Sequence, residues 1–131
     1  MPGPALRSPS VRAGQIAGLP GEAARWIANI RVSKMGGLLR SLDVVAAARQ
    51  AGLGIIVGAQ VGETSLLTRA ALTVAQAAGP ALVAQEGAFG THLLQRDVCD
   101  PPVMFGAGGV LDPGPYHFDT AAGFGLTPAI V

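Results

Sequence analysis

Three short apolar runs, WIANIRV (26–32), LGIIVGA (53–59) and ALVAQEG (81–87), lack the polar alternation of a half-exposed strand. Each pair is separated by a segment with helical period, and that arrangement leaves few folds open. Strands apolar on both sides and joined by helices belong to parallel sheets covered on both faces. In LLRSLDVVAAARQAG (38–52), Leu38, Leu42, Val45 and Arg49 recur at helical spacing. Arg40, Ser41, Asp43 and Gln50 take the polar side, and Gly52 is a natural C-cap. In GETSLLTRAALTVAQAAGP (62–80), Leu67, Ala70, Ala71, Val74 and Ala78 form one stripe. Thr64 or Ser65 is placed to cap its start, and Gly79-Pro80 stops it. A shorter amphipathic piece, THLLQRDV (91–98), follows the third run.

The flanks read differently. Residues 1–23 form a Pro/Gly-rich lead with no apolar period, read as disordered or unrelated to the rest. Residues 24–100 carry the three βα units. Residues 101–131 are rich in glycine and proline and predict an irregular or hairpin-like tail.

Composition limits the partners. Charged residues make up 13% of the chain, against about 25% in an ordinary soluble domain. No run of about 18 apolar residues free of charges and breakers occurs, so a membrane span does not account for the deficit. The sequence therefore predicts a surface that lies against further protein. A net charge of +1 with scattered arginines gives no basic stripe, which argues against nucleic acid. Cys99 is the single cysteine: no disulfide framework, no thiolate metal site, and a packing thiol in a reduced, cytoplasmic setting.

The strand ends carry the candidate chemistry, because ligands of parallel α/β folds bind where strands finish. Arg31 and Lys34, the only lysine, lie at the end of the first run. Gln60 and Glu63 follow the second, and Glu86 follows the third. A charge in such a run is costly unless it is paired or faces a polar space. His92 reads as a surface histidine, and His117, beside Tyr116 and Asp119, as structural. GAGGVLDPG (106–114) departs from the dinucleotide fingerprint and reads as turns.

Four stretches carry a resemblance: NIRVSKMGG (29–37), VGAQVGETS (57–65) before the alanine-rich helix, QEGAFGTHLL (85–94) and GFGL (123–126). In that order and spacing they resemble the mandelate racemase and muconate-lactonizing branch of the enolase superfamily, over roughly Ala24 to Leu126. The resemblance implies part of a TIM-type (β/α) barrel, its sixth to eighth strands and the tail that follows. It also implies a Mg²⁺-dependent isomerase or lyase of racemase, cycloisomerase or acid-sugar dehydratase type. Such enzymes take a proton α to a carboxylate.

Carried over residue by residue, the sixth-strand base position falls on Arg31, and a second family lysine falls on Lys34. Arginine stays protonated, so Arg31 is no base, but it is suited to holding a carboxylate or enolate oxygen. Glu86 matches the eighth-strand glutamate that donates to or stabilises the intermediate. Glu63 matches the seventh-strand exit acid, with a structural or orienting role; Ala59 and Gln60 stand where the racemase group has its histidine. The family's three metal carboxylates and its second-strand lysine have no counterpart here, since Glu22 is the one acid before Arg31. The expectation is a C-terminal fragment, inactive alone, open to a small carboxylate substrate once completed by an upstream fragment or by self-association. The alternative is a non-catalytic α/β interaction module that forms an oligomer. A complete small enzyme built on Arg31, Lys34 and Glu86 is a third reading.

Overall fold

The computed structural model describes residues 5–6, 12–112 and 122–129, and places in them one sheet of four parallel strands. The strands are β1 (Ala5–Leu6), β2 (Ile27–Ile30), β3 (Gly54–Val57) and β4 (Leu82–Gln85), adjacent in chain order. Parallel neighbours need crossovers, which a helix supplies. Helix α3 (Leu38–Gln50) lies between β2 and β3, and α4 (Ser65–Ala78) between β3 and β4. Strands that stay in chain order follow the rule of a β/α barrel; a doubly wound sheet would reverse direction. The chain is a partial α/β barrel of that kind.

The chain divides into two compact units, Met1–Gly58 with Ala71–Glu86, and Ala59–Ala70 with Gly87–Val131. The whole sheet belongs to the first. Ala28, Ile30, Ile55 and Val57 are each 0% exposed, and α3 packs on β2 and β3. Ile27, Asn29 and Ile56, on the opposite face, are half-buried. The β3–β4 register slips by one residue: Ile55 pairs with Leu82 but Ile56 with Ala84, so Val83 is extra and exposed.

The first apolar run ends as a strand at Ile30, because Val32–Met35 winds into one helical turn, α2. Gly36 closes that turn with φ of 86°, a left-handed conformation that suits glycine. The buried side of α3 is also rotated from the expected stripe. Val45 is inside as expected, joined by Ser41, Val44 and Ala48, whereas Leu38 and Leu42 are half-buried and Arg49 is exposed. Ser41 tolerates burial because its hydroxyl donates to the Gly37 carbonyl at 2.8 Å. Arg49 reaches from the end of α3 to donate to the Ala77 carbonyl at 3.0 Å.

Within the lead, β1 pairs with β2 in the register Ala5↔Ile27 and Leu6↔Ala28. A one-turn helix α1 (Ala13–Ile16) buries Ile16 and contacts α3. Two or four residues of structure leave no hydrophobic period, so nothing in the sequence marks these elements.

In the second unit, the first residues of α4 are held from a distance. The Asp97 carboxylate accepts from the Ser65 backbone N–H at 3.0 Å and from the Cys99 N–H at 3.1 Å. Asp97 thus satisfies a donor at the helix start, a role the sequence assigned to Thr64 or Ser65. The Ser65 hydroxyl instead accepts from the Val103 N–H at 2.7 Å. The amphipathic piece is reduced to the single turn α5 (Gly90–Leu93). The tail is irregular through its described part, with one 3-10 turn at Ala107–Gly109 and one antiparallel bridge, Cys99 to Pro128. His117, Tyr116 and Asp119 lie outside the described residues.

Two tests follow from this packing. Ile55→Ala should cost about 2–5 kcal/mol, and Ile56→Ala, on the half-buried face, clearly less. The readout is the urea midpoint followed by Trp26 fluorescence; equal losses would contradict the assignment of faces. Cys99 is buried, and burial, with a smaller contribution from Asp97, holds its thiol above its ordinary pKa. The neutral thiol therefore persists as pH rises, and iodoacetamide at pH 8 should modify Cys99 slowly in the native protein and quickly in urea.

Candidate functional site

At the ends of β2 and β4 the ladder bonds continue one residue past the strands. The Gly58 N–H donates to the Ile30 carbonyl, and the Glu86 N–H to the Val57 carbonyl, each at 2.8 Å. These bonds fix Arg31 and Glu86 on either side of Gly58 in the first unit. Their side chains meet there, Arg31 Nη2 to Glu86 Oε2, at 3.9 Å. The side chains are 31% and 44% exposed, so the pair is an ion contact rather than a hydrogen bond, worth at most about 1 kcal/mol. Its value lies in orientation: a guanidinium and a carboxylate share one opening.

The space beneath this pair belongs to Gly58. A Cβ at that position would collide with the Asn29 Oδ1, and would meet the Arg31 Cγ at 2.8 Å and Nε at 3.0 Å. The missing side chain is what lets Asn29 and Arg31, two residues apart on one strand face, lie over β3. Asn29 Oδ1 and Arg31 Nε are both buried with no hydrogen-bond partner. Buried polar atoms are nearly always partnered, so an acceptor and a donor held open together mark a place for an added polar group. Sequence reading missed Asn29; counting back by two from Arg31 along the strand face would have found it.

The other candidates lie elsewhere. Lys34 is in α2 and lines a cavity whose wall includes neither Arg31 nor Glu86. Gln60 and Glu63 belong to the second unit, where the Glu63 N–H donates to the Gln60 carbonyl at 3.3 Å. Glu63 is 7% exposed, and Gly90 passes so close to its carbonyl that a Cβ there would lie 2.5 Å away. His92 is exposed, its ring tilted against Phe89 with centroids 6.3 Å apart. The sequence thus placed Arg31 and Glu86 at one site, and the structure brings these two together.

A family model matches residues 16–129, under the description "Enolase C-terminal domain-like". The chain belongs to this family. The match starts upstream of Ala24 and takes in Ile16 of α1. No curated protein and no solved structure matches the chain.

The family implies magnesium, and the residues present do not fit it. Among the described residues no three of His, Cys, Asp and Glu converge on one point. Glu86, the one carboxylate at this site among the described residues, sits against a guanidinium, which repels a cation.

The packing over Gly58 is testable. Gly58→Ala should destabilise the protein by about 1–3 kcal/mol, the usual cost of overpacking. Adding Asn29→Ala should recover part of that loss in a double-mutant cycle on urea midpoints. Strict additivity would mean that Asn29 does not occupy the space above Gly58.

Proposed function

We propose that the chain is the C-terminal barrel part of a Mg²⁺-dependent enolase-superfamily isomerase or lyase, of the mandelate racemase and muconate-lactonizing branch. It acts on a small carboxylate substrate and is inactive alone, in a cytoplasmic setting consistent with its lone cysteine. The single observation behind this reading is the Arg31–Glu86 pair at the ends of β2 and β4, the two strands that flank β3, with the Arg31 Nε unpartnered.

Arg31 does not abstract a proton, because its guanidinium stays charged. What it supplies is a fixed cation with parallel N–H donors, matched to a carboxylate or to the oxygens of an enolate. Such an oxygen gains negative charge as the α-proton leaves, so a preplaced cation favours the transition state over the ground state. Glu86, across the opening, donates to or stabilises the intermediate. Lys34, Gln60 and Glu63 are further positions carried over from the family, with Gln60 and Glu63 as substrate-binding or orienting groups. The base and the metal ligands come from a complementary upstream segment.

Exposed apolar side chains in the first unit favour a second reading, a non-catalytic module that forms an oligomer. Leu39 on α3 and Val83 on β4 are 78% and 59% exposed. Size exclusion with light scattering distinguishes the two: a stable, concentration-independent oligomer supports the module.

The test of the catalytic reading is α-proton exchange in D₂O, followed by NMR on a panel of α-substituted carboxylates. The chain alone should give background exchange only. Mixed with a protein segment that supplies the missing strands, it should give exchange that Arg31→Gln lowers by about tenfold or more, the loss expected for one charged hydrogen bond. Exchange by the chain alone, or exchange indifferent to Arg31, would contradict the reading.

A further inference from the structure

Lys34 shares its cavity with two arginines. The cavity holds about 460 Å³ in the first unit and is lined by Arg12, Ala13, Lys34, Met35, Gly36, Arg40, Asp43 and Val44. Three cations from separate stretches of the chain line it: Arg12 precedes α1, Lys34 is in α2 and Arg40 is in α3. Among the described residues Asp43 is the one carboxylate on the wall, so their lining carries a net charge of +2 in a chain whose total is +1. None of the three cations takes part in an ion pair among the described residues.

Arg12, Lys34, Arg40 and Asp43 are all exposed, and the packing that positions one of them is at Gly36. Gly36, in its left-handed conformation, leaves room for the Arg40 side chain: its Nη1 lies 3.3 Å, and its Cδ 3.5 Å, from where a Cβ would stand. Contacts of α1 and α2 with α3 bring the three elements together. Met35 and Val44, both buried, form an apolar part of the wall. A concave surface of one charge sign concentrates field and attracts the opposite ion.

We propose that this cavity is a binding site for an organic phosphate monoester. Two guanidinium groups and an ammonium suit a dianionic phosphate, which accepts paired N–H donors on several oxygens. The net charge of +2 matches a dianion better than a monocarboxylate. The volume falls in the range of small-molecule sites and exceeds the needs of an inorganic ion. The remaining space, against Met35 and Val44, takes the organic part. This site shares no residue with the Arg31–Glu86 pair, and the inference does not depend on the catalytic reading.

Isothermal titration with phenyl phosphate at low ionic strength tests it, with benzoate as the monoanionic comparison. Saturable binding at one site per chain is expected, tighter than for benzoate. Arg40→Gln and Arg12→Gln should each weaken binding by about tenfold, the equivalent of one charge-assisted hydrogen bond. Asp43→Asn should tighten it, a gain that a damaged fold does not produce. Arg25→Gln, which removes an exposed cation already paired with Glu22 at 3.3 Å, should leave it unchanged. Circular dichroism confirms that each variant is folded. Absence of saturable binding, equal affinity for benzoate, or an equal loss in Arg25→Gln would overturn the proposal.

Discussion

The geometry of the first unit depends on how closely β2 and β4 approach β3 at Gly58. Hydrogen bonds extend the ladder past the strands on both sides, and no side chain stands between the flanking residues. That opening admits the stems of Asn29 and Arg31 above β3 and lets the guanidinium face Glu86. A weak ion pair does not hold three strands together. The ladder does so, and it holds the pair where two charged side chains would otherwise move apart to gain solvation. The site is thus a consequence of backbone register, with Asn29 Oδ1 and Arg31 Nε left short of partners.

The second unit solves a different problem by similar means. The start of α4 needs acceptors, and Asp97 supplies one while also holding the Cys99 N–H. Ser65 then turns its hydroxyl to the Val103 N–H, in a buried place where a free donor would cost about 1–3 kcal/mol. One carboxylate and one hydroxyl tie a helix end to a tail with no regular structure of its own.

Much of the first unit was legible in the sequence, for a physical reason. Strands buried by a neighbouring helix keep β-branched residues with no polar alternation, and LGIIVGA shows this without ambiguity. Helices α3 and α4 repeat apolar residues often enough to be placed to within a residue or two. The rotation of α3 was not legible, because a serine with an i−4 carbonyl to satisfy it packs as readily as alanine. Neither was β1, which is too short to have a period, nor the Asp97 cap, which comes from far along the chain. At the site, Arg31 and Glu86 were legible because both directly follow strands. Lys34 was grouped with them by its nearness to the strand end and by the family resemblance. A helical turn intervenes after Arg31, so a residue three positions on no longer follows the strand.

That turn also separates two uses of positive charge. Arg31, level with the end of β2, faces a carboxylate and one open acceptor, a mixed environment suited to a ligand whose charge changes during a reaction. Lys34, one turn later, lines a cavity with Arg12 and Arg40, where cations outnumber anions among the described residues. An environment of one sign suits retention of an anion; an environment of both signs suits chemistry on it. The left-handed Gly36 completes this separation. It ends the turn that carries Lys34 away from Arg31, and leaves the room in which Arg40 lies.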